Sequence, residues 1–166
     1  TDYFANEEER LAKIEKEKAE KLAAAEKLKT EMADEFATQK ETVKALPSGL
    51  KIMVLNEGNG EKPKIGQKVK VMYAGYLADG SLFESNYQEV AKAYGKFDLN
   101  REQAGGYMPA PMDYSPDSQL VAGFKEGLLT MKVGDKLRLF IPSHLGWGEQ
   151  GGGPIPADAD LVFDLE

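Results

Sequence analysis

Two regions with different hydrophobic patterns follow each other along the chain. From about Asn6 to Leu46 neither Gly nor Pro occurs, and most residues are Ala, Glu, Lys or Leu. These residue types have high helix propensities, so the composition predicts one long helix over this region. Pairs such as Glu9 with Lys13 stand about one helical turn apart and add a few tenths of a kcal/mol of support each.

The predicted helix carries an incomplete apolar stripe. Lys18 interrupts it, and alanine fills several of its positions. One interpretation is a solvated helix that acts as a spacer, and the other is a stripe that packs against a second copy of the chain to form a homodimer. Both interpretations stay open from the sequence. The stripe consists of Leu11, Ile14, Leu22, Ala25, Leu28, Met32, Phe36 and Val43.

The rest of the chain has the pattern of a β-rich domain. Pro47-Ser48-Gly49 marks the predicted boundary, with a long charged helix at 1–46 and a globular domain at 47–166. Strands are predicted at 50–55, 68–77, 136–141 and 160–165, and the strand at 136–141 is expected to bury one face. The spacing of Leu120, Phe124 and Leu128 predicts a short helix within 119–129. An antiparallel sheet wrapped around one short helix is an α+β fold.

Composition excludes several classes of function. The chain has 28 acidic and 21 basic residues, and the acid excess occurs in both regions, so no nucleic acid partner is expected. The absence of Cys excludes thiolate catalysis, disulfides and Cys-based metal sites, and with a single His no metal or cofactor is expected. The compartment stays open. Since the chain starts at Thr1 and stops inside a strand-like run, a fragment or processed form is expected.

Two motifs in the β-rich region are the most specific. In the first, Val69, Val71 and Tyr73 alternate ahead of the turn dipeptide Asp79-Gly80 and Phe83. The second runs from Leu120 to Gly127. From about residue 48 to its end, the chain resembles the FKBP-type peptidyl-prolyl isomerases, the immunophilins, because these two motifs occur in the family's order together with several shorter ones. The shorter motifs are Ser48-Gly-Leu50, Gly58, Gly60, Ile155-Pro156 and Leu161-Val-Phe163.

This resemblance implies a curved antiparallel sheet around one helix, with an apolar pocket between them in which Xaa-Pro bonds isomerise. The chemistry needs no nucleophile. By resemblance, Val121 would hold a substrate carbonyl through its backbone N–H, and Tyr73 and Trp147 would place polar groups at the rim. Phe83 and Glu84 would complete the catalytic set. Further substrate contacts are implied for Leu120, Phe124, Ile155, Phe163, Met112 and Tyr114, and macrolide inhibitors are expected ligands.

The sequence departs from the family pattern at several points. Glu84 stands in place of the usual Asp, Trp147 in place of a frequent Tyr, and Ala157 in place of a second Pro, so reduced activity is expected. An insertion at about 86–111 has helical character from Tyr87 to Tyr94 and a predicted flexible loop at 105–111. It is interpreted either as a flap that selects substrates or as a tolerated surface excursion.

Two functions are consistent with these features. The first is a peptidyl-prolyl cis-trans isomerase that acts on proline-containing unfolded or partly folded polypeptides. The alternative is a non-catalytic peptide-binding or holdase chaperone module that uses the same pocket, which Glu84 and Trp147 would favour. A long helix ahead of such a domain is similar to the macrophage infectivity potentiator branch of bacterial FKBPs, which implies dimerisation through this region.

Overall fold

The computed structural model describes residues 2–166 of the chain. Its first element, α1, is a single helix of 41 residues, Asp2–Thr42. The helix ends before the predicted Leu46 because the chain reverses there: Ala45 pairs with Lys51, and the Leu46 N–H donates to the Leu50 carbonyl at 2.8 Å. Over residues 2–166, no helix has the length and apolar character needed to cross a membrane.

The β-rich domain contains a five-stranded antiparallel sheet and a separate two-stranded one. The strand orders are β1-β6-β7-β3-β4 and β2-β5. Together with the long first helix and the short α4, this architecture confirms the predicted α+β fold. The elements are β1 Lys51–Asn56, β2 Lys68–Val71, β3 Tyr73–Leu77, β4 Leu82–Ser85, α2 Gln88–Ala93, α3 Leu99–Gln103, β5 Ala110–Asp113, α4 Ala122–Leu128, β6 Lys136–Ile141, a 3-10 turn at Ser143–Leu145, and β7 Leu161–Leu165.

The strand predicted at 68–77 is divided in two at Met72. β2 pairs with β5, whereas β3 pairs with β4 and β7. Met72 instead exchanges backbone hydrogen bonds of 2.9 and 2.8 Å with Glu166. The buried Asn86 side chain completes the junction, accepting from the Tyr73 N–H at 2.6 Å and donating to the Val71 carbonyl at 2.9 Å. The two strands can therefore separate while their buried backbone groups stay hydrogen bonded.

The inner face of the five-stranded sheet packs against α4. A Cβ at Gly123 would lie 2.6 Å from Ile141 Cγ2, and one at Gly127 would lie 2.4 Å from Leu139 Cδ1. Only glycine permits this close approach of helix and sheet. It holds α4, with Phe124 between the two glycines, against a core whose buried sheet residues are Leu137, Leu139, Ile141, Leu161, Phe163 and Leu165.

The outer face of the sheet is covered by the C-terminal half of α1 and by α2. Phe36 of α1 is 3% exposed, and its ring centroid lies 5.1 Å from that of Tyr76 in β3. Phe140 and Val162 belong to the same buried cluster, with Tyr94 from the insertion. The prediction that strand 136–141 buries only one face is therefore wrong, because α1 buries the other.

A buried charged group fixes α1 in register on this face. Arg138 and Asp164, each 7% exposed, form a bidentate pair with distances of 2.7 and 2.9 Å. Arg138 also donates to Gln39 at 2.8 Å and to Glu35 at 3.2 Å, both on α1. Because a buried guanidinium needs partners for all its donors, these contacts specify which helical turn faces β6.

Neither interpretation of the apolar stripe describes the C-terminal half of α1, and both stay open for its N-terminal half. Met32 and Phe36 pack against the sheet of the same chain, so the C-terminal half is not a solvated spacer. In the N-terminal half, Leu11, Ile14 and Leu22 are 49, 37 and 66% exposed. A role in dimerisation stays a prediction for that half alone.

Candidate active site in an aromatic pocket

An apolar cavity of about 370 Å³ lies between the start of α4 and the inner face of the sheet. Cavities of this size commonly hold small ligands in proteins. Residues of β3, β4, β5, α4 and β7 contribute to the wall, as does the loop before β7. The lining residues are Tyr73, Phe83, Glu84, Met112, Gln119, Leu120, Val121, Phe124, Trp147, Gly152, Pro154, Ile155 and Phe163.

Aromatic rings packed edge to face form much of the wall. The Phe163 ring centroid lies 5.5 Å from that of Phe83 and 5.2 Å from that of Phe124, with interplanar angles of 85° in both pairs. Tyr73 meets Phe124 at 6.2 Å, and Trp147 meets Phe83 at 6.1 Å. This geometry sets the positive edge of one ring against the negative face of the next, so the rings stabilise one another.

Gly75 in β3 makes room for two of these rings. A Cβ at this position would lie 2.7 Å from Phe83 Cζ and 2.8 Å from Phe163 Cε1. Both distances are shorter than carbon atoms tolerate, so any side chain here would displace the aromatic pair. The rings can therefore lie directly over the strand only because residue 75 is glycine.

A glycine-rich loop holds the single Trp at the rim. Trp147 is 37% exposed, and a Cβ at Gly152 would lie 2.7 Å from its Cδ1 atom. Gly152 and Ile155 exchange two backbone hydrogen bonds of 2.9 Å. This closed loop places the buried Ile155 in the pocket wall, where the partly exposed Trp147 also lies.

Arg101 reaches Glu84 at the rim from the insertion, a contact that the sequence interpretation missed. Its Nη1 donates to Glu84 Oε1 at 2.5 Å, and that oxygen also accepts from the Ser85 N–H at 2.9 Å. Burial lowers the pKa of Arg101, but the hydrogen bond and charge of Glu84 outweigh burial and leave the pKa raised. Since both side chains are partly exposed, solvent screens their charges. The ion pair therefore orients Glu84 more than it stabilises the fold.

The Tyr73 hydroxyl is kept neutral by its surroundings. Burial is the largest cause of its raised pKa, the charge of Glu84 raises it further, and Arg101 partly offsets these effects. Because an unperturbed Tyr titrates near pH 10, Tyr73 is protonated at neutral pH. A neutral phenol can donate a hydrogen bond to a ligand in the pocket.

Val121 places a backbone donor in the pocket wall. It is the N-cap residue of α4, and its carbonyl accepts from the Lys125 N–H at 3.0 Å. Its own N–H has no hydrogen-bond partner within residues 2–166. The first N–H groups of a helix lack partners within the helix, so this donor is free for a ligand carbonyl.

A second apolar cavity, of about 330 Å³, lies beside β2. Its lining residues include the apolar Val69, Val71, Leu128 and Met131 and also two lysines of β2, Lys68 and Lys70. The aromatic cluster, the charged pair at Glu84 and the free donor all belong to the first cavity, which is therefore the candidate active site.

Comparison with known proteins decides the family. Residues 59–166 match the family model described as FKBP-type peptidyl-prolyl cis-trans isomerase. The chain belongs to the FKBP family. The resemblance inferred from the motifs is thus confirmed, and the pocket lies within the FKBP domain.

Curated relatives extend the similarity beyond the FKBP domain. The chain is 38% identical over 157 residues to the FKBP-type peptidyl-prolyl cis-trans isomerase FkpA of Aeromonas hydrophila, covering 95% of this chain and 51% of that protein. FkpA of Escherichia coli strain K12 is 33% identical over 155 residues, covering 93% and 48%. The chain thus spans about half the length of these relatives.

Solved structures agree with this family membership. The crystal structure of FkpA from Escherichia coli matches with a TM-score of 0.58 and 29% identity, over 99% of this chain and 67% of that one. A peptidyl-prolyl cis-trans isomerase from Pseudomonas syringae matches with a TM-score of 0.57 and 27% identity, over 83% and 90%.

The FKBP pocket contains every residue that the sequence assigned to the site except Tyr114. Their placement on the cavity wall is observed, while their catalytic and substrate-binding roles stay predictions. The gathered residues are Tyr73, Phe83, Glu84, Met112, Leu120, Val121, Phe124, Trp147, Ile155 and Phe163.

The placement of Tyr114 in the pocket is wrong. Its side chain is 1% exposed in the core, and its hydroxyl donates to the Leu129 carbonyl at 2.7 Å. Tyr114 directly follows the last residue of β5, and its N–H donates to the Gln67 carbonyl at 2.8 Å, in register with the pairing of Asp113 with Lys68. By alternation Tyr114 faces the same side of the strand as Met112, but it lies two residues farther along and lines a different cavity from the pocket.

The insertion folds into an ordered lobe. The predicted helical segment is confirmed as α2, and α3 and the first residues of β5 follow it, although 105–111 was predicted to be a flexible loop throughout. The Tyr94 hydroxyl donates to the Gly80 carbonyl at 2.7 Å, which ties the lobe to the β3–β4 turn. Whether the lobe selects substrates stays a prediction.

Proposed function

We propose that the chain is a peptidyl-prolyl cis-trans isomerase that acts on proline-containing unfolded or partly folded polypeptides. The observation that carries the proposal is the aromatic pocket with a free backbone donor at Val121, in a member of the FKBP family. The uncatalysed reaction faces a barrier of about 18–20 kcal/mol and takes on the order of tens of seconds or more.

The pocket would lower this barrier by stabilising the twisted amide. Twisting removes the resonance between the carbonyl and the nitrogen, so the C–N linkage is less polar at the top of the barrier than in the planar ground state. Removal of water by Phe83, Phe124 and Phe163 would disfavour the polar planar amide more than the twisted one. Such a differential effect accelerates rotation without covalent chemistry.

Polar groups at the rim would orient the substrate. The Val121 N–H would donate to a substrate carbonyl and thereby fix the peptide while the bond rotates. The neutral Tyr73 hydroxyl and the Trp147 indole N–H are two further donors. Glu84, held by Arg101, would keep the rim in shape without exchanging a proton.

Exchange spectroscopy by NMR on short Xaa-Pro peptides tests the proposal. Phe83→Ala removes a pocket wall, whereas Phe140→Ala makes the same truncation on the outer face of the sheet and serves as the control. We expect the wild type to accelerate cis-trans exchange of the peptides. A macrolide that fills the pocket and the Phe83→Ala substitution should each abolish this acceleration. Phe140→Ala should keep its activity per folded molecule, with the folded fraction measured by circular dichroism.

Two results would contradict isomerase activity in this pocket. Acceleration that survives both the macrolide and Phe83→Ala would place the chemistry elsewhere. Macrolide binding without any acceleration would favour the alternative, a non-catalytic peptide-binding or holdase module.

We further propose that the exposed half of α1 forms a homodimer. Leu11, Ile14 and Leu22 expose apolar surface that a second helix would cover. Sedimentation should give a dimer for the wild type and a monomer for Leu11→Glu/Leu22→Glu, while Val54→Glu, on the exposed edge of β1, stays dimeric. A monomeric wild type at tens of micromolar would exclude this interface.

A further inference from the structure

The single His of the chain joins the loop that carries Trp147 to the segment before β1. His144 lies in the 3-10 turn Ser143–Leu145, and its Nε2 atom is 2.8 Å from the Ser48 carbonyl oxygen. Because a carbonyl oxygen only accepts, the imidazole must donate from Nε2. This contact connects residues that are 96 positions apart in the chain, and neither of them lines the pocket.

Gly49 makes room for the imidazole beside the backbone. Its φ is +101°, a conformation that favours glycine, and a Cβ there would lie 3.2 Å from His144 Cε1 and 3.4 Å from Nε2. A side chain at residue 49 would therefore press on the ring and move it away from the Ser48 carbonyl. The ring packs over Gly49 while it donates to the residue before it.

Ser48 is itself fixed to a helix that lines the pocket. Its hydroxyl donates to Glu126 Oε2 at 2.9 Å, and Glu126 belongs to α4. The same helix supplies Phe124 to the pocket wall. The His144 contact thus connects the loop of Trp147, through Ser48, to the helix that carries another part of the wall.

Backbone hydrogen bonds carry the position of the 3-10 turn to Trp147. The Ser143 carbonyl accepts from the Gly146 N–H at 3.0 Å and from the Gly148 N–H at 2.9 Å. These two bonds lie on either side of Trp147 in the chain, and the indole ring meets Phe83 at 6.1 Å in the pocket. A tilt of the turn would therefore displace the indole relative to Phe83.

We propose that His144 is a positioning residue that orients Trp147 in the pocket through its hydrogen bond to the Ser48 carbonyl. The proposal rests on the isomerase function proposed above, because Trp147 meets a substrate only in that function. A displacement on the order of 1 Å is enough to impair a binding group in an active site. The loss of one neutral hydrogen bond is expected to change binding by about fivefold.

Two substitutions separate the hydrogen bond from the packing of the ring. His144→Phe keeps a ring over Gly49 and removes the donor, whereas His144→Gln loses the ring and keeps an amide donor. We expect His144→Phe to lower kcat/KM on a short Xaa-Pro peptide and to raise the Kd for the macrolide, each about fivefold. His144→Gln, the matched control, should stay within about twofold of the wild type in both measurements.

Fluorescence of the single Trp reports the position of the indole without catalysis. The emission maximum and the quenching constant for acrylamide are recorded for the wild type and both variants. We expect His144→Phe to change both quantities and His144→Gln to match the wild type, whereas a merely structural role would lower the Tm and leave both quantities unchanged. If the wild type fails to accelerate even the short peptide, the isomerase proposal fails, and the fluorescence still decides whether His144 positions Trp147.

The single imidazole also permits a direct test of the hydrogen bond. A proton–nitrogen correlation spectrum of the ring is recorded at about pH 8, where an unperturbed imidazole is neutral. We expect the tautomer that carries its proton on Nε2. The other tautomer would overturn the proposal, because its Nε2 could not donate to Ser48.

Two results with the variants would also overturn the positioning role. If His144→Phe has the kcat/KM and the acrylamide quenching constant of the wild type, the hydrogen bond does not orient Trp147. If His144→Phe and His144→Gln lose activity equally, the packing of the ring on Gly49 matters and the hydrogen bond does not.

Discussion

Replacing Phe36 by Ala tests whether the C-terminal half of α1 is an integral part of the FKBP domain. The Phe36 ring is 3% exposed, with the Tyr76 centroid at 5.1 Å and the Arg138 guanidinium at 5.0 Å. Truncating a buried Phe to Ala costs about 3–5 kcal/mol, because it removes apolar contact and leaves a cavity. Domains are stable by only about 5–15 kcal/mol, so this loss would be a large share of the total.

Urea unfolding followed by circular dichroism and by Trp147 fluorescence measures this loss. Ile65→Ala is the control, since Ile65 is 64% exposed and lies outside both α1 and the pocket. We expect the control to lower the free energy of unfolding by about 0.5 kcal/mol or less. At about 2–4 °C per kcal/mol for a protein of this size, Phe36→Ala should also lower the Tm on the order of 10 °C.

Equal decreases in the free energy of unfolding for Phe36→Ala and the control would refute the packing of Phe36 on the sheet. They would mean that α1 does not rest on the sheet in solution and that the outer face is covered in another way. A second refuting result is a two-step transition for the wild type in which helix signal is lost before Trp147 fluorescence changes. Such a transition would show the docked helix and the FKBP domain unfolding separately.

Three further predictions follow from the pocket and its surroundings. Gly75→Ala should weaken macrolide binding, as measured by calorimetry, and lower the free energy of unfolding by about 1–3 kcal/mol, because the added Cβ would overlap the Phe83 and Phe163 rings. An unchanged affinity would mean that the two rings move to accommodate the methyl group. Arg101→Gln should lower kcat/KM several-fold. It should lower the free energy of unfolding by less than about 1 kcal/mol, because solvent screens the ion pair with Glu84. A larger decrease of this free energy in urea unfolding would contradict the prediction. Burial raises the pKa of Tyr94 to about 12 in the folded state, compared with about 10 for an unperturbed Tyr. The folded state therefore gains stability from the protonated Tyr94 below about pH 10, and this gain is lost as the pH rises through the pKa of the folded state. The wild-type advantage over Tyr94→Phe in free energy of unfolding should therefore shrink between about pH 10 and 12, and parallel curves would exclude the effect.

The sequence predicted the pocket well where the relevant information is local. Tyr73 and Phe83 lie in strands joined by the Asp79-Gly80 turn, and their order along the chain sufficed to place them together. The placement of Tyr114 failed because alternation predicts which side of a strand a residue faces but not how far along the strand the pocket extends. Tyr114 lies beyond the pocket, with its hydroxyl bonded to the Leu129 carbonyl. Arg101 was missed for a similar reason, since its contact with Glu84 requires the whole inserted lobe to be folded.

By itself, the sequence determined the family, the long helix, the α+β class and most of the residues that line the pocket. Propensity, alternation and motif order depend on neighbours in the chain, so they can be read without knowing what packs where. Only the tertiary structure decided that α1 rests on the outer face of the sheet and that the insertion reaches the pocket rim. Which face of an element is buried depends on its partner in space, and for Phe36 and Arg138 that partner lies in a distant part of the chain.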